Sequence, residues 1–342
     1  MAKKVKLSDI AAILNVSTVT VSNALADQKG VSEEMRARIK EVADRMGYQT
    51  PKASRLSSKS KTYNIGVLIS ETFFDQTQSF YWQMYQSVAT YAVHKDCFTL
   101  LEVLPEQSET EMILPKLLRE HKIDGLIIIG ALEPEYLMFI DRNITVPYVC
   151  LDFYDSKHEF DSVITDNFYG MYRLVNYLID MGHKKIAYVG TPLSTDSITD
   201  RYFGYMKALL EHDIDVPKDY IVNDRPNGVR SRAKDFIDFT LPSEMPTAFA
   251  CNNDGTAMVL IDKLKKLGYR VPEDISVIGF DNYQLPGTVT DVNLTTYEVD
   301  IKEMSKVAIN NLLKKISGEH YKKGVIIIEG SMVIKDSVKK LN

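Results

Sequence analysis

From Tyr63 onward the chain repeats one pattern: a short apolar run, a polar break, then a segment with apolar residues at helical spacing. The apolar runs are 64–69, 98–103, 125–129, 148–151, 185–189, 248–251 and 275–280; the helix-period segments include 81–93, 170–181, 201–211 and 255–267. Short apolar runs of this kind belong to parallel strands buried on both faces, and strand–helix alternation predicts right-handed crossovers in open parallel sheets. About 280 residues is more than one such sheet usually needs, so two similar lobes with a cleft between them are expected. There is no internal repeat and no GxGxxG or GxxxxGK[ST] loop, so nucleotide phosphate binding is not expected.

The first fifty residues have a different texture. Ser8 is a cap for a first helix on which Ile10, Ala11 and Leu14 share a face. Asn15-Val16-Ser17 breaks that pattern, and Val19 or Val21 with Leu25 resumes it on a second helix; Ala11 and Ala12 are small enough for the two to cross closely. A third helix runs from Ser32, its cap, to Met46, with Glu33 and Glu34 in its first turn and Gly47 ending it. This is the shape of a helix-turn-helix, whose second helix enters the major groove of DNA. Residues 51–61 are small, polar and basic, a linker in which Ala53-Ser54-Arg55-Leu56 is either a helix that forms on DNA or part of a disordered tether.

Charge separates the two parts. The whole chain has a net charge of −5, but residues 1–61 hold 12 Lys and Arg against 6 Asp and Glu, and the rest holds 29 against 40. A basic head on an acidic body points to polyanion binding by the head alone. Cys97, Cys150 and Cys251 lack metal-ligand spacing and read as buried free thiols on strands. The six histidines are scattered, and no nucleophile–base pair, metal cluster or cofactor loop is visible, so neither an enzyme nor a cofactor is expected. The basic N-terminus leads into an amphipathic helix, not a signal peptide, and no stretch approaches the roughly 20 apolar residues of a membrane span. A cytoplasmic location without membrane contact is the expectation.

The run from Val5 to Tyr48, with its Val16-Ser17, Val21-Ser22 and Val31-Ser32 pairs, closely resembles the headpiece of LacI/GalR transcription regulators. The likeness continues through Ile65-Gly66-Val67, Asp166-Asn167, Gly182-His183-Lys184-Lys185, Arg201 with Gly204-Tyr205, Asn253-Asp254 and Val271-Pro272-Glu273-Asp274-Ile275 to Gly279-Phe280-Asp281. It covers essentially the whole chain. It implies an α/β protein with a three-helix helix-turn-helix headpiece (1–50), a hinge linker (51–62) and a two-lobed, periplasmic-binding-protein-like body with parallel sheets (63–342). The implied function is a homodimeric repressor of carbohydrate-utilisation genes that binds a pseudo-palindromic double-stranded operator under control of a small sugar or sugar derivative held between the lobes. The alternative is a sugar-binding protein of uptake type, against which the basic head argues. No leucine heptads follow Ile334, so a dimer is expected rather than a coiled-coil tetramer.

Docking of such a head brings Thr18, Val19, Ser22 and Asn23 to base edges: Asn pairs with adenine, and the Thr and Val methyls meet thymine methyls. Core packing is the competing role for Val19 and a solvated helix face for Asn23; Lys29, Arg36 and Lys40 read equally as solvated cations. By resemblance Thr18, Val19 and Asn23 are specificity positions, and Ser8, Ser17, Thr20 and Ser32 look like phosphate contacts. Leu56 is the candidate minor-groove wedge, one residue before the position, here Ser57, where the family's leucine stands.

In the body, Asp152, Asn253, Asp254 and Asp281 fall at the carboxyl ends of apolar runs, where clefts between parallel-sheet lobes bind ligands. Carboxylates accept hydroxyl protons and Arg201 donates a planar fork, which suits a polyol. By resemblance Asp152, Arg201, Asn253 and Asp281 match the family's sugar-binding set, Ser70 and Phe74 the first-lobe positions near ligand, and Asp166 a further candidate. Phe80, at the start of the first-lobe helix, is placed to stack on a sugar ring. Trp82 reads as core or dimer face, Asp281 alternatively as a helix cap, and Asn253-Asp254 alternatively as the turn capping the helix that follows.

Overall fold

The computed structural model describes residues 6–26, 28–46, 48, 62–73, 80–155, 159–226, 240–283 and 291–341. Leu56 and Phe74, and the Gly47 helix stop, lie outside them. The chain divides into two compact units, Met1–Thr62 and Tyr63–Asn342.

The first unit holds three helices, α1 (Leu7–Leu14), α2 (Thr18–Leu25) and α3 (Glu33–Arg45). Its core is Ile10, Ala11, Val21, Ala24, Ile39, Val42 and Ala43, so Val21 and not Val19 continues the apolar face; Ala12 is exposed and takes no part. Helix α1 begins two residues earlier than expected. The cap position is Lys6, whose backbone N–H donates to Asp9 Oδ2 at 2.7 Å, and Ser8 sits inside the first turn. The acidic side chain at the third helical position reaches back and takes over the capping role. Asn15 ends α1 in the left-handed region, at φ 52°, a conformation Asn tolerates better than most side chains. Ser17 caps α2, its Oγ accepting from Thr20 N at 3.0 Å, and Ser32 Oγ accepts from Met35 N at 3.4 Å at the start of α3.

The second unit is two parallel sheets. The larger has the order β11-β5-β4-β3-β1-β2, built from β1 (Asn64–Ser70), β2 (Phe98–Leu104), β3 (Gly125–Ile129), β4 (Tyr148–Leu151), β5 (Ser162–Thr165) and β11 (Val325–Ile328). The smaller has the order β7-β6-β8-β9, from β6 (Ile186–Val189), β7 (Ile221–Val222), β8 (Ala248–Cys251) and β9 (Ser276–Ile278). A two-stranded antiparallel piece, β10 (Thr296–Glu298) with β12 (Ser331–Val333), joins them.

Strand side chains alternate between faces, and the packing follows that period. Ile65, Val67, Ile127, Ile129 and Val149 meet α4 (Phe80–His94) and α11 (Ile301–Ser317); Leu68, Leu126, Ile128 and Cys150 meet α7 (Pro134–Asn143), on the side of the short helices α5 (Glu106–Thr110) and α6 (Lys116–Arg119). In the smaller sheet Ile186, Tyr188 and Ala250 face α8 (Asn167–Asp180) and α9 (Asp196–Glu211), while Ala187, Phe249 and Cys251 face α10 (Asp254–Lys266). Cys150 and Cys251 are buried free thiols on strands, and Cys97 lies one residue before β2. The chain passes between lobes after β5, after β10 and after β11, which turns the carboxyl ends of both sheets toward one cleft. Among the described residues no helix is long and apolar enough to cross a membrane.

Candidate functional site

On the head, Ser8, Ser17, Thr18, Val19, Ser22 and Ser32 are exposed, and Thr20 and Asn23 are half-buried. Val19 is 65% exposed, which removes core packing as its role. Thr18, Val19, Ser22 and Asn23 recur at the spacing of one helix face, opposite buried Val21 and Ala24. Arg36 is not a solvated cation. From α3 its guanidinium donates to the carbonyls of Ala24 at 3.1 Å and Gln28 at 2.7 Å, covering the C-terminal end of α2, where helix carbonyls lack partners.

In the body the cleft is organised around Arg201. Helix α9 is capped by Thr195, whose Oγ1 accepts from Ile198 N, so Arg201 sits in the second turn rather than opening the helix. Only 5% exposed, it donates from Nε to Asn167 Oδ1 at 2.8 Å and from Nη1 to the Asn252 carbonyl at 2.6 Å, and pairs through Nη2 with Asp281 Oδ1 at 3.1 Å. Its guanidinium lies 3.8 Å from the centroid of the Phe280 ring, a cation–π arrangement.

Asp152, after β4 of the other sheet, completes the cluster and is hydrogen-bonded to the Tyr81 hydroxyl. Burial raises the Asp152 carboxyl to about 7; Arg201 opposes the rise and Asp281 adds to it. The same burial, with Asp152 and Asp281 nearby, raises the Tyr81 phenol well above its ordinary value. Both carboxylates sit at positive φ, 69° for Asp152 and 102° for Asp281, a strained backbone of the kind that collects at binding sites.

The other expected ligand residues take different places. Asp166 and Asn253 are helix caps: Asp166 Oδ1 accepts from Tyr169 N at 2.9 Å, and Asn253 Oδ1 accepts from Thr256 N at 2.8 Å. Their neighbours Asn167 and Asn252 turn inward to Arg201 instead. The doubled polar residues at each strand-to-helix junction carried that signal, since one must cap the helix and the next is free to face the cleft. Ser70 is fully buried and donates to Glu109 Oε1 at 2.6 Å. Phe80 lines the cleft in T-shaped, edge-to-face contact with Tyr81 and with Tyr283 of the other lobe, centroids 5.5 and 6.3 Å away. Trp82 packs on Tyr85, away from this contact.

Four further residues went unread in the sequence. Tyr154 donates across the lobes to Asp200 at 3.1 Å. Asp224 and Arg225, after β7, form a buried ion pair at 2.6 Å that Asn252 Nδ2 joins to the Arg201 cluster by donating to Asp224 at 2.7 Å. Burial by itself would raise the Asp224 carboxyl, but Arg225, Asn252 and Thr191 together hold it below its ordinary value. Deeper still, Asp254 accepts from Tyr283 N at 2.7 Å and Thr296 Oγ1 at 2.6 Å; burial and the Asp281 charge raise it to about 8. The cleft thus offers acceptors from both lobes, a planar cationic donor and an aromatic wall.

A three-helix head with an exposed second helix, joined to a two-lobed body with a polar cleft, defines a ligand-responsive DNA-binding regulator. Residues 6–51 match the family model for bacterial regulatory proteins of the lacI family, and residues 175–338 match the periplasmic binding protein-like domain. The chain belongs to the LacI/GalR family of DNA-binding transcription regulators. Its relatives include the HTH-type transcriptional repressor PurR of Aliivibrio salmonicida (strain LFI1238), 28% identical over 98% of this chain and 99% of that one. The HTH-type transcriptional repressor CytR of Escherichia coli (strain K12) is also 28% identical, over 98% and 96%. Among solved structures, the lac repressor dimer bound to operator and the anti-inducer ONPF has a TM-score of 0.65 at 22% identity, covering 98% of this chain and all of that one. The transcriptional regulator CelR–cellobiose complex has a TM-score of 0.67 at 20% identity, with the same coverage. These two share the fold.

Proposed function

We propose that the protein is a homodimeric repressor of carbohydrate-utilisation genes, acting in the cytoplasm, whose operator affinity is set by a small sugar or sugar derivative bound between the lobes. The observation that carries this reading is the convergence of Asp152, Arg201 and Asp281 from both lobes on one cleft, a donor–acceptor set suited to hydroxyls. Cellobiose bound to CelR, a relative in fold, supports a carbohydrate.

The head comprises residues 1–50, a hinge 51–62, and the body 63–342. Thr18, Val19, Ser22 and Asn23 read bases, Ser8, Ser17, Thr20 and Ser32 meet phosphates, and Leu56 is the minor-groove wedge. Ser70, Phe74, Phe80, Asp166 and Asn253 stand around the ligand as an outer set. Val93, Phe98 and Leu100 are exposed at the edge strand β2 and the end of α4; an apolar edge of this kind calls for cover, and a second copy supplies it. Two heads on a dimer read a two-fold site, and effector shifts affinity only by binding the two lobe arrangements unequally.

The test is fluorescence anisotropy of the gene's own upstream palindrome, titrated with protein at fixed salt and then with sugars. Tight, salt-dependent binding altered by one sugar is expected. Absence of specific binding across genomic fragments, with sugars present, would overturn the reading.

A further inference from the structure

We propose that β11 is a second self-association surface, at which two copies of the chain pair their β11 edges antiparallel and so join two dimers. The surface lies outside the ligand cleft and takes from the repressor reading only the dimer that covers β2.

The larger sheet has two edges, β2 at one end of its strand order and β11 at the other. Edge strands present a row of unpaired peptide groups, which proteins blunt with charges, proline or bulges. Val325-Ile326-Ile327-Ile328 has no charge, proline or bulge within it, and among the described residues it pairs with β5 only. Ser162 N donates to the Gly324 carbonyl at 3.2 Å, and Asp166 N to the Ile328 carbonyl at 3.0 Å. Successive residues of a strand turn their N–H and C=O to opposite sides. Gly324, Ile326 and Ile328 therefore face β5, while Val325 and Ile327 turn their peptide groups to the open edge. The side chains of these two share one face of the sheet and are 42% and 57% exposed.

The flanks of β11 decide what fits there. Lys322 and Lys323 precede the strand and Glu329 follows it. Two copies paired antiparallel about Ile326 set Val325 of each opposite Ile327 of the other, where the two residues exchange N–H···O bonds. The same register sets Lys323 of each copy opposite Glu329 of the other, an attractive cross-strand pair at both ends. A parallel pairing in register would set like charge against like instead. Glu329 is exposed, and its contact with Arg173 is a 3.7 Å surface pair of small worth. The strand is also fixed before a partner arrives. Asp161 accepts from Tyr321 Oη at 3.0 Å, from Gly324 N at 2.8 Å and from Lys315 Nζ on α11 at 2.7 Å. Gly324 makes the turn into β11 at φ 85°, which glycine adopts without strain. Pairing thus orders little new chain. A strand of this length covers far less than the roughly 1,200–2,000 Å² of a standard interface, so association in dilute solution is weak. It becomes effective where two dimers are held near one another, as on one DNA, since the effective concentration there reaches about millimolar.

The test is sedimentation velocity of the full chain from about micromolar to about millimolar concentration. A dimer that passes reversibly to tetramer or larger is expected, because each dimer carries two β11 edges. Ile327→Lys, at an exposed position, should weaken that step at least about tenfold and leave the dimer and the circular dichroism spectrum unchanged. Lys323→Glu and Glu329→Lys should each weaken it several-fold, because each sets like charges opposite one another. The chain carrying both exchanges should regain the parent's association, a recovery that only the antiparallel register explains. A parent chain that stays dimeric throughout overturns the proposal and leaves the edge to a segment of another protein. An Ile327→Lys chain that associates as the parent does, or a double exchange no better than the single ones, overturns it too. So does an Ile327→Lys chain that falls to monomers, by making β11 the dimer interface itself. A parent chain monomeric at every concentration overturns the dimer reading as well.

Discussion

At Arg201 one guanidinium joins four pieces of chain: α9, which carries it, Asn167 at the start of α8, Asn252 after β8 and Asp281 after β9. Each partner is a strand-end or helix-start residue, so the fork fixes the loops that form one wall of the cleft. Lysine has no planar fork and cannot satisfy three partners in fixed directions. Arg201→Lys is therefore expected to lose about 3 kcal/mol, as breaking a buried charged network does, and to abolish effector response; urea unfolding and the anisotropy assay check the two effects. Val19 presents the reverse case. Being exposed, its replacement by Ala should leave stability within about 0.5 kcal/mol, while operator affinity falls. A variant that unfolds more easily but binds operator unchanged would return Val19 to a packing role.

Helix pairs show the same division between packing and display. Helices α8 and α9 cross closely because Gly204 has no side chain: a Cβ there would run into the Phe168 carbonyl oxygen. That crossing seats Arg201, one turn earlier on α9, beside Asn167 on α8. Gly204→Ala should push the helices apart and cost about 1–3 kcal/mol, the usual range for overpacking, with a loss of effector affinity exceeding that of a surface Ala control on α9. In the head, Arg36 binds α3 to the end of α2, so its effect belongs to the helix that displays the base-reading residues. Arg36→Met is expected to speed amide exchange throughout α2 and to weaken specific more than non-specific DNA binding. Unchanged exchange in α2 would show that the carbonyl contacts hold nothing in place.

Across the body, buried groups of opposite kind make stability depend on pH from both sides. His183 is buried between Thr247 Oγ1 at 2.9 Å and the Lys339 carbonyl at 3.1 Å, and burial lowers its affinity for a proton. Its contribution is present above the ordinary histidine value and is lost as pH falls through the lowered one. Asp152 and Asp254, raised to about 7 and about 8, act in the other direction: their contribution is full below the ordinary carboxylate value and is lost as pH rises through those raised values. The thermal midpoint should therefore decline from about pH 6.5, where the His183 contribution is complete, to about pH 8, where Asp254 gives up its proton, and Asp254→Asn, which keeps the shape of the neutral acid, should flatten that decline while leaving the acid limb unchanged. A decline of undiminished slope in the variant would assign it to other groups. What the sequence by itself determined was periodic and local: strand and helix types, the Ser32 cap, the buried cysteines, and the strand-end positions of Asp152 and Asp281, because side-chain period and turn chemistry act over a few residues. It also named Arg201, through the family likeness. Only the tertiary structure decided that Asn167 and Asn252 face Arg201 while Asp166 and Asn253 cap helices, that Tyr81 holds Asp152, and that Arg36 closes α2. Those choices depend on which of two adjacent polar groups a helix end claims and on what another lobe or helix brings opposite, and neither is encoded in spacing along the chain.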